Sequence, residues 1–316
     1  MRIVFMGSPE FALTTLRRLI DSEHVIAGVV TQPDRPAGRG RSLRPPPAKE
    51  LAAAHGVPVL QPRRVNAGES LAALRALEPD ALVIAAYGQI LKQPLLDLPR
   101  RGSLNVHASL LPKYRGASPV AAALLAGEAE TGVTILEVVL ALDAGPMLGQ
   151  RKLPVDDSDT TGSLSEKLAS LGADLLVDLL PAWERGELRA EPQDEAQFSY
   201  APLVKREDAV IDWSLPATDV WRRVRAYNPW PVATTSVDGE ALRILEAWPL
   251  EAEVDAPPGT AIELPAGASA PGGAGFAVRC GVGALAVVRG QRAGKRALSG
   301  EELLRGYRGL IGKGLG

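Results

Sequence analysis

Two polar residues close together in the sequence, Asn105 and His107, are well suited to chemistry. They lie at the end of the apolar stretch 102–106, which predicts a β-strand. Side chains two positions apart on a strand point to the same side of the sheet, so we expect these two to project together. An asparagine amide can donate a hydrogen bond to a developing oxyanion, and an imidazole can exchange a proton near neutral pH. The alternative is a structural histidine at a strand end, beside an asparagine that turns the chain.

The segment directly after His107 offers hydrogen-bonding groups to a ligand. It reads Ala108-Ser109-Leu110-Leu111-Pro112. The Ser109 hydroxyl and the backbone of the turn before the proline can bond a bound molecule. Folds with parallel sheets bind ligands at the C-terminal ends of their strands, so the position of this segment favours a binding site.

Asp143 is a candidate active-site acid. It follows the mostly apolar run 136–142 and precedes Ala144-Gly145-Pro146. An acid in this position either forms the turn or acts in a site. Beside an imidazole, a carboxylate would orient the ring and stabilise its charged form. The sequence alone leaves both interpretations open.

Two basic segments point to an anionic partner in a chain whose net charge is only -2. The loop 32–47 contains four arginines and one acid between residues 34 and 44, and residues 279–316 contain eight basic residues against two acids. Contact with phosphates is the functional interpretation, and a solvated surface loop is the alternative for the first segment. Aromatic residues are few in the second segment, which favours contact with a nucleic-acid backbone over base stacking.

The first part of the chain alternates apolar runs with helical patterns. Continuous apolar runs at 3–5, 25–30, 81–86, 102–106, 133–139 and 147–155 predict strands. Polar residues at helical spacing predict caps for the intervening helices: Ser8, Asn66 with Glu69, and Ser163 with Glu166. The pattern predicts an α/β fold, a Rossmann-like domain with a central, mostly parallel sheet covered on both faces.

The pattern changes after a polar, proline-containing stretch. We expect a domain at 1–188, a linker at 189–206 and a smaller domain at 207–316. In the last domain, residues 213–227 predict a helix, and Asp238-Gly239 between two apolar runs predicts a hairpin. A second hairpin and a short helix capped by Ser299 and Glu302 follow. This part predicts a small β-rich domain, a barrel of the OB-like kind.

Several classes of protein lack support in the sequence. The chain has a single cysteine, Cys280, and three widely spaced histidines, so neither a disulfide framework nor a metal-ligand spacing is present. There is no Walker A or Gly-x-Ser-x-Gly sequence, and the glycines at 281–283 belong to a predicted hairpin rather than a dinucleotide fingerprint. No uncharged apolar run approaches the roughly 20 residues that span a bilayer, and no signal-peptide layout precedes the first strand.

The chain resembles the methionyl-tRNA formyltransferase family over nearly its whole length. The resemblance rests on Gln32-Pro33-Asp34-Arg35-Pro36-Ala37-Gly38-Arg39-Gly40, Asn105-Val106-His107 with Ser109-Leu110-Leu111-Pro112, Arg115-Gly116-Ala117-Ser118-Pro119, Glu130-Thr131-Gly132-Val133-Thr134, Leu142-Asp143-Ala144-Gly145, Asn228-Pro229-Trp230-Pro231 and Ala293-Gly294-Lys295. Folate-dependent formyltransferases in general share the Asn/His/Asp set and the Ser-Leu-Leu-Pro turn. The arginine loop and the C-terminal domain look specific to the enzymes that act on tRNA.

The resemblance implies transfer of a formyl group from 10-formyltetrahydrofolate to the α-amino group of methionine on initiator tRNA, without a metal. It implies a catalytic set of Asn105, His107 and Asp143 and folate contacts from Ser109, Leu110, Leu111 and Pro112. Together with the basic segments, it implies tRNA contacts from Arg35, Arg39, Arg41, Arg44, Arg292, Lys295 and Arg296. We expect a cytoplasmic monomer that does not bind membranes.

Other functions stay open at this point. A formyltransferase or formyltetrahydrofolate deformylase acting on a small substrate would share residues 102–145 but would not need the two basic segments. A non-catalytic RNA-binding protein would not need Asn105, His107 and Asp143 together. A nicotinamide oxidoreductase would need a glycine fingerprint that the sequence lacks.

Overall fold

The computed structural model describes residues 1–37, 42–268 and 270–316. The chain divides into two compact units. The first comprises Met1–Pro119, Glu130–Pro154 and Ser165–Ala201, and the second comprises Val120–Ala129, Val155–Leu164 and Pro202–Gly316. The domain and linker boundaries expected from composition stay a prediction.

The first unit is built on a central sheet of seven strands. Its strands and those of two small accessory sheets are β1 (Arg2–Gly7), β2 (Val25–Val30), β3 (Arg35–Ala37), β4 (Ser42–Arg44), β5 (Val59–Leu60), β6 (Ala81–Ala85), β7 (Gly102–His107), β8 (Arg115–Gly116), β9 (Glu130–Glu137), β10 (Met147–Pro154) and β11 (Tyr200–Ala201). The central order is β10-β9-β7-β6-β1-β2-β5. Pairs among β5, β2, β1, β6 and β7 are parallel, whereas β7 pairs β9 and β9 pairs β10 in antiparallel fashion. The predicted Rossmann-like, mostly parallel sheet is confirmed.

Helices flank this sheet and bury its apolar strands. They are α1 (Glu10–Ile20), α2 (Pro47–Ala54), α3 (Gly68–Arg75), α4 (Gln93–Leu96) and α6 (Thr161–Glu184), which belongs to the first unit from Ser165 on. The remaining helix, α5 (Pro119–Ala126), belongs to the second unit from Val120 on. Residues Ile3 to Met6 of β1 are fully buried, as are Leu16 and Leu19 on one stripe of α1. Strands covered on both faces need apolar side chains at successive positions, which explains the continuous runs in the sequence.

Two predicted helix caps are wrong. α1 begins after Pro9, and the Ser8 hydroxyl instead accepts a hydrogen bond from the Gln32 backbone N–H at 2.9 Å. At the start of α6, Thr160 and Ser163 cap each other: each backbone N–H donates to the other's hydroxyl, at 3.0 and 3.2 Å. The reciprocal pair therefore lies three residues before the predicted one.

The cap predicted at Asn66 is also wrong. α3 has Ala67 as its N-cap residue and no capping side chain. The Asn66 amide donates to the carbonyl of Ile90 at 2.8 Å and accepts from the backbone N–H of Lys92 at 2.9 Å. These bonds to a distant loop use the groups that a cap would need.

The second unit contains a curled antiparallel sheet. Its strands are β12 (Thr234–Val237), β13 (Glu240–Leu250), β14 (Ala261–Ile262), β15 (Phe276–Arg279), β16 (Ala284–Arg292) and β17 (Ala297–Ser299). Besides α5, the unit contains the helices α7 (Ala217–Ala226) and α8 (Gly300–Gly306). The order is β12-β13-β16-β15-β14, with β17 beside β16. The two outer strands are joined by one stretch near residue 315, because Leu315 bridges Val237 and Gly314 bridges Thr260. The sheet thus curls into the small barrel that the sequence predicted.

Local signals explain parts of this unit. Asp238 and Gly239 have φ values of 52° and 80°, which fits the tight turn of the predicted hairpin. Ser299 and Glu302 form the predicted capping box. The helix predicted at 213–227 begins later, after Pro216, and Trp213 is instead buried in the unit's core with its indole N–H bonded to Thr235 at 3.1 Å.

Candidate active site

Strand β7 presents Asn105 and His107 on one face, as their spacing predicts. In the register of the sheet, Asn105 lies beside Leu136 of β9 and His107 lies beside Thr134. His107 is 5 % exposed and Asn105 is half-buried. Both side chains are therefore fixed by a strand in the middle of the sheet rather than by a loop.

The loop between β9 and β10 brings Asp143 to these two residues. The Asn105 amide nitrogen Nδ2 donates to Asp143 Oδ1 at 3.3 Å, and His107 Nδ1 lies 3.7 Å from Asp143 Oδ2. The backbone N–H of Gly116 also donates to Oδ2, at 2.9 Å. The three residues that the sequence singled out separately are thus neighbours.

The hydrogen bonds of His107 define which nitrogen faces the site. Nε2 lies 2.9 Å from the carbonyl oxygen of Tyr114. A carbonyl only accepts, so Nε2 carries the proton of the neutral ring. Nδ1 then faces Asp143 as an acceptor. A proton added at Nδ1 would lie beside the Asp143 carboxylate.

The turn 109–112 is held rigidly and is mostly buried. The Ser109 hydroxyl donates to the Lys113 carbonyl at 2.7 Å, and Ser109, Leu111 and Pro112 are buried. Leu110 is half-buried and is the most accessible of the four. Of this predicted folate-contacting set, Leu110 is therefore the residue whose side chain is most open to a ligand.

Two residues that the sequence pattern did not single out support this turn. Thr134 donates from its hydroxyl to the Ser109 carbonyl at 2.7 Å and accepts from the Leu111 N–H at 3.1 Å. Gln150 donates to the Leu111 carbonyl at 2.8 Å and to the Thr134 hydroxyl at 2.9 Å. Thr134 lies within a segment that carries the family resemblance, whereas Gln150 has no local signal in the sequence.

Gly145 allows the Asp143 loop to pass close to β9. A Cβ atom at this position would lie 1.7 Å from the carbonyl oxygen of Glu137. The backbone N–H of Glu137 donates to the Pro146 carbonyl at 2.9 Å, which holds the two segments together. Only glycine fits this approach without moving the loop that carries Asp143.

The basic loop 32–47 contains a short two-stranded ribbon, which the sequence pattern did not predict. β3 pairs β4 in antiparallel fashion, with Arg35 opposite Arg44 and both exposed. Asp34 at its base accepts from Lys49 at 2.8 Å and from Gln61 at 2.7 Å, and the bond from Lys49 lowers the pKa of Asp34. Arg39 and Arg41 lie outside the described residues.

Two of the three basic residues predicted to bind tRNA in the second unit, Arg292 and Arg296, form ion pairs with acids. Arg292 forms an ion pair with Glu240 and lies over the ring of Tyr307 at 4.2 Å. Arg296 pairs with Glu302 at 3.0 Å, and Lys295 is exposed. An exposed ion pair contributes only about 0–1 kcal/mol to the stability of the folded state. A phosphate could therefore replace Glu302 as the partner of Arg296.

The structure gives two further results for the described ranges 1–37, 42–268 and 270–316. Within them, no three His, Cys, Asp or Glu side chains lie together as metal ligands would. No helix in these ranges is long and apolar enough to cross a membrane.

Comparison with protein families gives two matches. Residues 1–180 match the model described as formyl transferase, and residues 203–308 match the model described as formyl transferase, C-terminal domain. The two matches leave out residues 181–202 and 309–316.

Curated relatives are similar over the full chain. A methionyl-tRNA formyltransferase from Methylococcus capsulatus is 49 % identical over 316 residues, 100 % of each chain. One from Chloroflexus aggregans is 47 % identical over 306 residues, 97 % of each chain.

Solved structures share the fold at lower identity. HypX from Aquifex aeolicus in complex with tetrahydrofolic acid has a TM-score of 0.65 at 20 % identity, covering 96 % of this chain and 47 % of that one. A sugar 3N-formyl transferase crystallised with dTDP and 5-N-formyl-THF has a TM-score of 0.64 at 16 % identity, covering 94 % and 99 %.

Proposed function

The chain belongs to the methionyl-tRNA formyltransferase family, and we propose that it transfers the formyl group of 10-formyltetrahydrofolate to the α-amino group of methionyl initiator tRNA. The observation that carries the proposal is the convergence of Asn105, His107 and Asp143 at the end of β7. Two donors and a carboxylate within one small site suit an acyl transfer that passes through an oxyanion.

The chemistry requires one bond to form and one to break. The neutral amine of methionine attacks the formyl carbon, and the carbonyl oxygen takes on negative charge. The carbon–nitrogen bond to N10 of the folate then breaks. The proton lost by the amine ends on N10, which yields tetrahydrofolate and N-formylmethionyl-tRNA.

Asn105 and His107 would stabilise the oxyanion. Nδ2 of Asn105 carries two hydrogens, of which one is directed at Asp143 and the other is available for the substrate oxygen. A protonated His107 would donate from Nδ1, since Nε2 is bonded to Tyr114. Removing one such donor from an enzyme typically costs about 3 kcal/mol of transition-state stabilisation.

Asp143 would hold the charge of His107 and receive the proton of the attacking amine, directly or through a water molecule. Its carboxylate already accepts from Gly116 and Asn105, so its position is fixed before the substrate arrives. A fixed carboxylate needs no rearrangement during the reaction, which favours catalysis.

The residues beside the site fit a folate. The turn 109–112 presents Leu110, and the loop that carries Asp143 exposes Val139, Leu140 and Leu142 at 41, 59 and 56 %. Apolar side chains beside hydrogen-bonding backbone suit a flat aromatic ring system such as a pterin. We assign Ser109, Leu110, Leu111 and Pro112 as folate contacts, with the buried members acting through the backbone.

The basic residues would bind tRNA through its phosphates. In the first unit these are Arg35, Arg39, Arg41 and Arg44, and in the second they are Arg292, Lys295 and Arg296. Phosphate contacts supply affinity and depend on salt. These segments favour tRNA over the second candidate function, which is formyl transfer to a small amine or hydrolysis of the formyl folate.

The test is formyl transfer from 10-formyltetrahydrofolate to methionyl initiator tRNA, with methionyl elongator tRNA, free methionine and an acceptor-free reaction alongside. Formylation of the initiator species alone supports the proposal. Release of formate without an acceptor, or formylation of free amines only, would assign the site to the second candidate. The oligomeric state and location, a monomer in the cytoplasm, stay predictions.

A further inference from the structure

We propose that Gln193 is a positioning residue for Asp143, acting from a segment whose composition predicted a linker. The proposal rests on the proposed function, in which Asp143 takes part in formyl transfer. Gln193 itself would not touch the substrate. It would hold the backbone of the loop 143–145 in the one arrangement that places the carboxylate beside His107.

The side chain of Gln193 uses both ends of its amide. Nε2 donates to the carbonyl of Asp143 at 2.7 Å and to the carbonyl of Gly145 at 2.8 Å. Oε1 accepts from Nε of Arg115 at 2.9 Å. Carbonyls only accept and a guanidinium only donates, so these partners define the orientation of the amide.

Arg115 is itself held in place. Its side chain is 7 % exposed and donates from Nη1 and Nη2 to the two carboxylate oxygens of Glu195, at 3.1 and 2.6 Å. The guanidinium also lies 4.9 Å from the centre of the Phe198 ring. A two-pronged ion pair and a stacked ring leave the Nε–H of Arg115 directed at Gln193.

Strand β8, which carries Arg115, also bonds the side chain of Asp143 directly. Gly116, the residue after Arg115, donates its N–H to Asp143 Oδ2 at 2.9 Å. Asp143 is thus held at its backbone carbonyl by Gln193 and at its carboxylate by Gly116. Both contacts depend on β8, which pairs with Tyr200 and Ala201 of β11.

We call residues 191–201 the strap. Its first residue, Glu191, exchanges two backbone hydrogen bonds with Met147, at 2.7 and 2.8 Å, and its last residue pairs with Gly116. The strap therefore joins the loop that carries Asp143 to the segment that carries Arg115. Gln193 is the strap residue whose side chain bonds both.

The backbone of Asp143 shows why such support is needed. Its φ is 49°, in the left-handed region that residues other than glycine seldom adopt. A non-glycine residue keeps such a conformation only where its surroundings impose it. The bonds from Gln193 to the carbonyls on either side of Ala144 would hold the backbone in this conformation.

The test compares Gln193→Glu with Gln197→Glu. A carboxylate at 193 can still accept from Arg115 but cannot donate to the two carbonyls. Gln197 is a matched control in the same strap, because among the described residues its side-chain amide bonds only the exposed Asp194, at 2.8 Å. We expect Gln193→Glu to lower kcat about 10- to 100-fold, with KM for both substrates within about twofold. Gln197→Glu should match the wild type.

A second comparison separates positioning from general destabilisation. In an Asp143→Asn background, measured in single turnovers, Gln193→Glu should lower the rate by less than about twofold, because the residue that it positions is already disabled. Multiplicative losses in the double variant would overturn the proposal. If Gln193→Glu unfolds, Glu195→Gln provides the same comparison, since it weakens the hold on Arg115 without altering Gln193.

Hydrogen exchange gives a readout that does not depend on activity. We expect the Gly116 amide to exchange at least about tenfold faster in Gln193→Glu than in the wild type, with no change in Gln197→Glu. An unchanged Gly116 amide would overturn the proposal even in an active enzyme. The two proposals can also fail separately. If the Gly116 amide exchanges faster in Gln193→Glu but the wild type does not formylate tRNA, the positioning role is supported and the proposed function is rejected.

Discussion

His107 and Asp143 face each other across 3.7 Å between Nδ1 and Oδ2, while the Gly116 N–H donates to the same oxygen at 2.9 Å. The carboxylate is therefore held by a neutral backbone N–H. Its distance from the imidazole nitrogen is longer than a hydrogen bond, so the two groups interact through charge. In the proposed mechanism, Nδ1 would donate a proton to the reacting group from a position beside the Asp143 carboxylate.

The first prediction concerns His107. Replacing it with alanine should lower kcat by about 10²- to 10⁴-fold, because the proton donor at the oxyanion is lost. The dissociation constant for tRNA should change less than about twofold. The control is His55→Ala, since His55 is exposed and its ring nitrogen Nδ1 bonds the Leu51 carbonyl in the helix that it follows. Turnover retained in His107→Ala would remove His107 from the catalytic set.

The second prediction concerns Asn105. Asn105→Asp keeps the shape of the side chain but places a second carboxylate 3.3 Å from Asp143 Oδ1 in place of a donor. We expect kcat to fall by about 10²- to 10³-fold. Steady-state kinetics would measure this, with Asn66→Asp as the control, because the Asn66 side chain bonds the backbone of Ile90 and Lys92. Equal losses in the two variants would contradict a role for the amide in the oxyanion site.

The third prediction concerns the basic loop. Arg39→Ala with Arg41→Ala should raise the dissociation constant for tRNA about tenfold. The dependence of binding on salt should become shallower, by about one unit of slope for each phosphate that an arginine no longer neutralises. KM for the folate should not change. Filter binding at several salt concentrations would measure this.

The control for the loop is Arg18→Ala with Arg185→Ala. Both arginines are exposed and paired with acids, Asp174 and Glu187, so the double variant removes the same charge elsewhere. If this control weakens tRNA binding as much as the loop variant does, net charge rather than the loop explains the affinity.

The fourth prediction concerns Gly145. Gly145→Ala would place a methyl group against the Glu137 carbonyl, so the loop must shift. We expect a loss of about 1–3 kcal/mol in the free energy of unfolding and a marked fall in kcat. Denaturant melts and kinetics would test this. Gly68→Ala is the control, because a Cβ built there has no described atom within 4 Å beyond its chain neighbours and the backbone of its own helix.

The fifth prediction concerns Cys280 and pH. Burial raises the pKa of this thiol from 9.0 to about 12. Because the folded state holds the thiol proton more tightly than the unfolded state, its contribution to folding stability is fully present below pH 9. That contribution is lost as the pH rises from about 9 towards 12. We expect the free energy of unfolding to be about 2 kcal/mol lower at pH 10.5 than at pH 8. This difference should be absent in Cys280→Ala. Denaturant melts at the two pH values would show it, and equal losses in both proteins would contradict it.

Local signals in the sequence predicted much of the fold. The continuous apolar runs predicted the buried strands β1, β6 and β7, and Asp238-Gly239 predicted a hairpin, because these patterns follow from local geometry. The caps at Ser8 and Asn66 were wrong because distant backbone groups bond those side chains instead. A polar side chain has several possible partners, and only the folded chain selects one.

The candidate site also combines features that local sequence patterns predicted with features that depend on the folded chain. The spacing of Asn105 and His107 placed both on one side of a strand. Their meeting with Asp143 depends on how the loop after β9 folds back, which no local pattern encodes. Gln193 lies in a stretch whose polar composition predicts a linker. Its side-chain partners Asp143, Gly145 and Arg115 lie 50, 48 and 78 residues away in the sequence.

The stretch that joins the two outer strands of the barrel also affects solubility. An open sheet presents a row of unpaired N–H and C=O groups at each edge, and such edges pair with other molecules and promote aggregation. Leu315 covers one edge at Val237 and Gly314 covers the other at Thr260. Residues 314 and 315 therefore cover both edges of the sheet. If this stretch detached, both edges would become free to pair with other molecules.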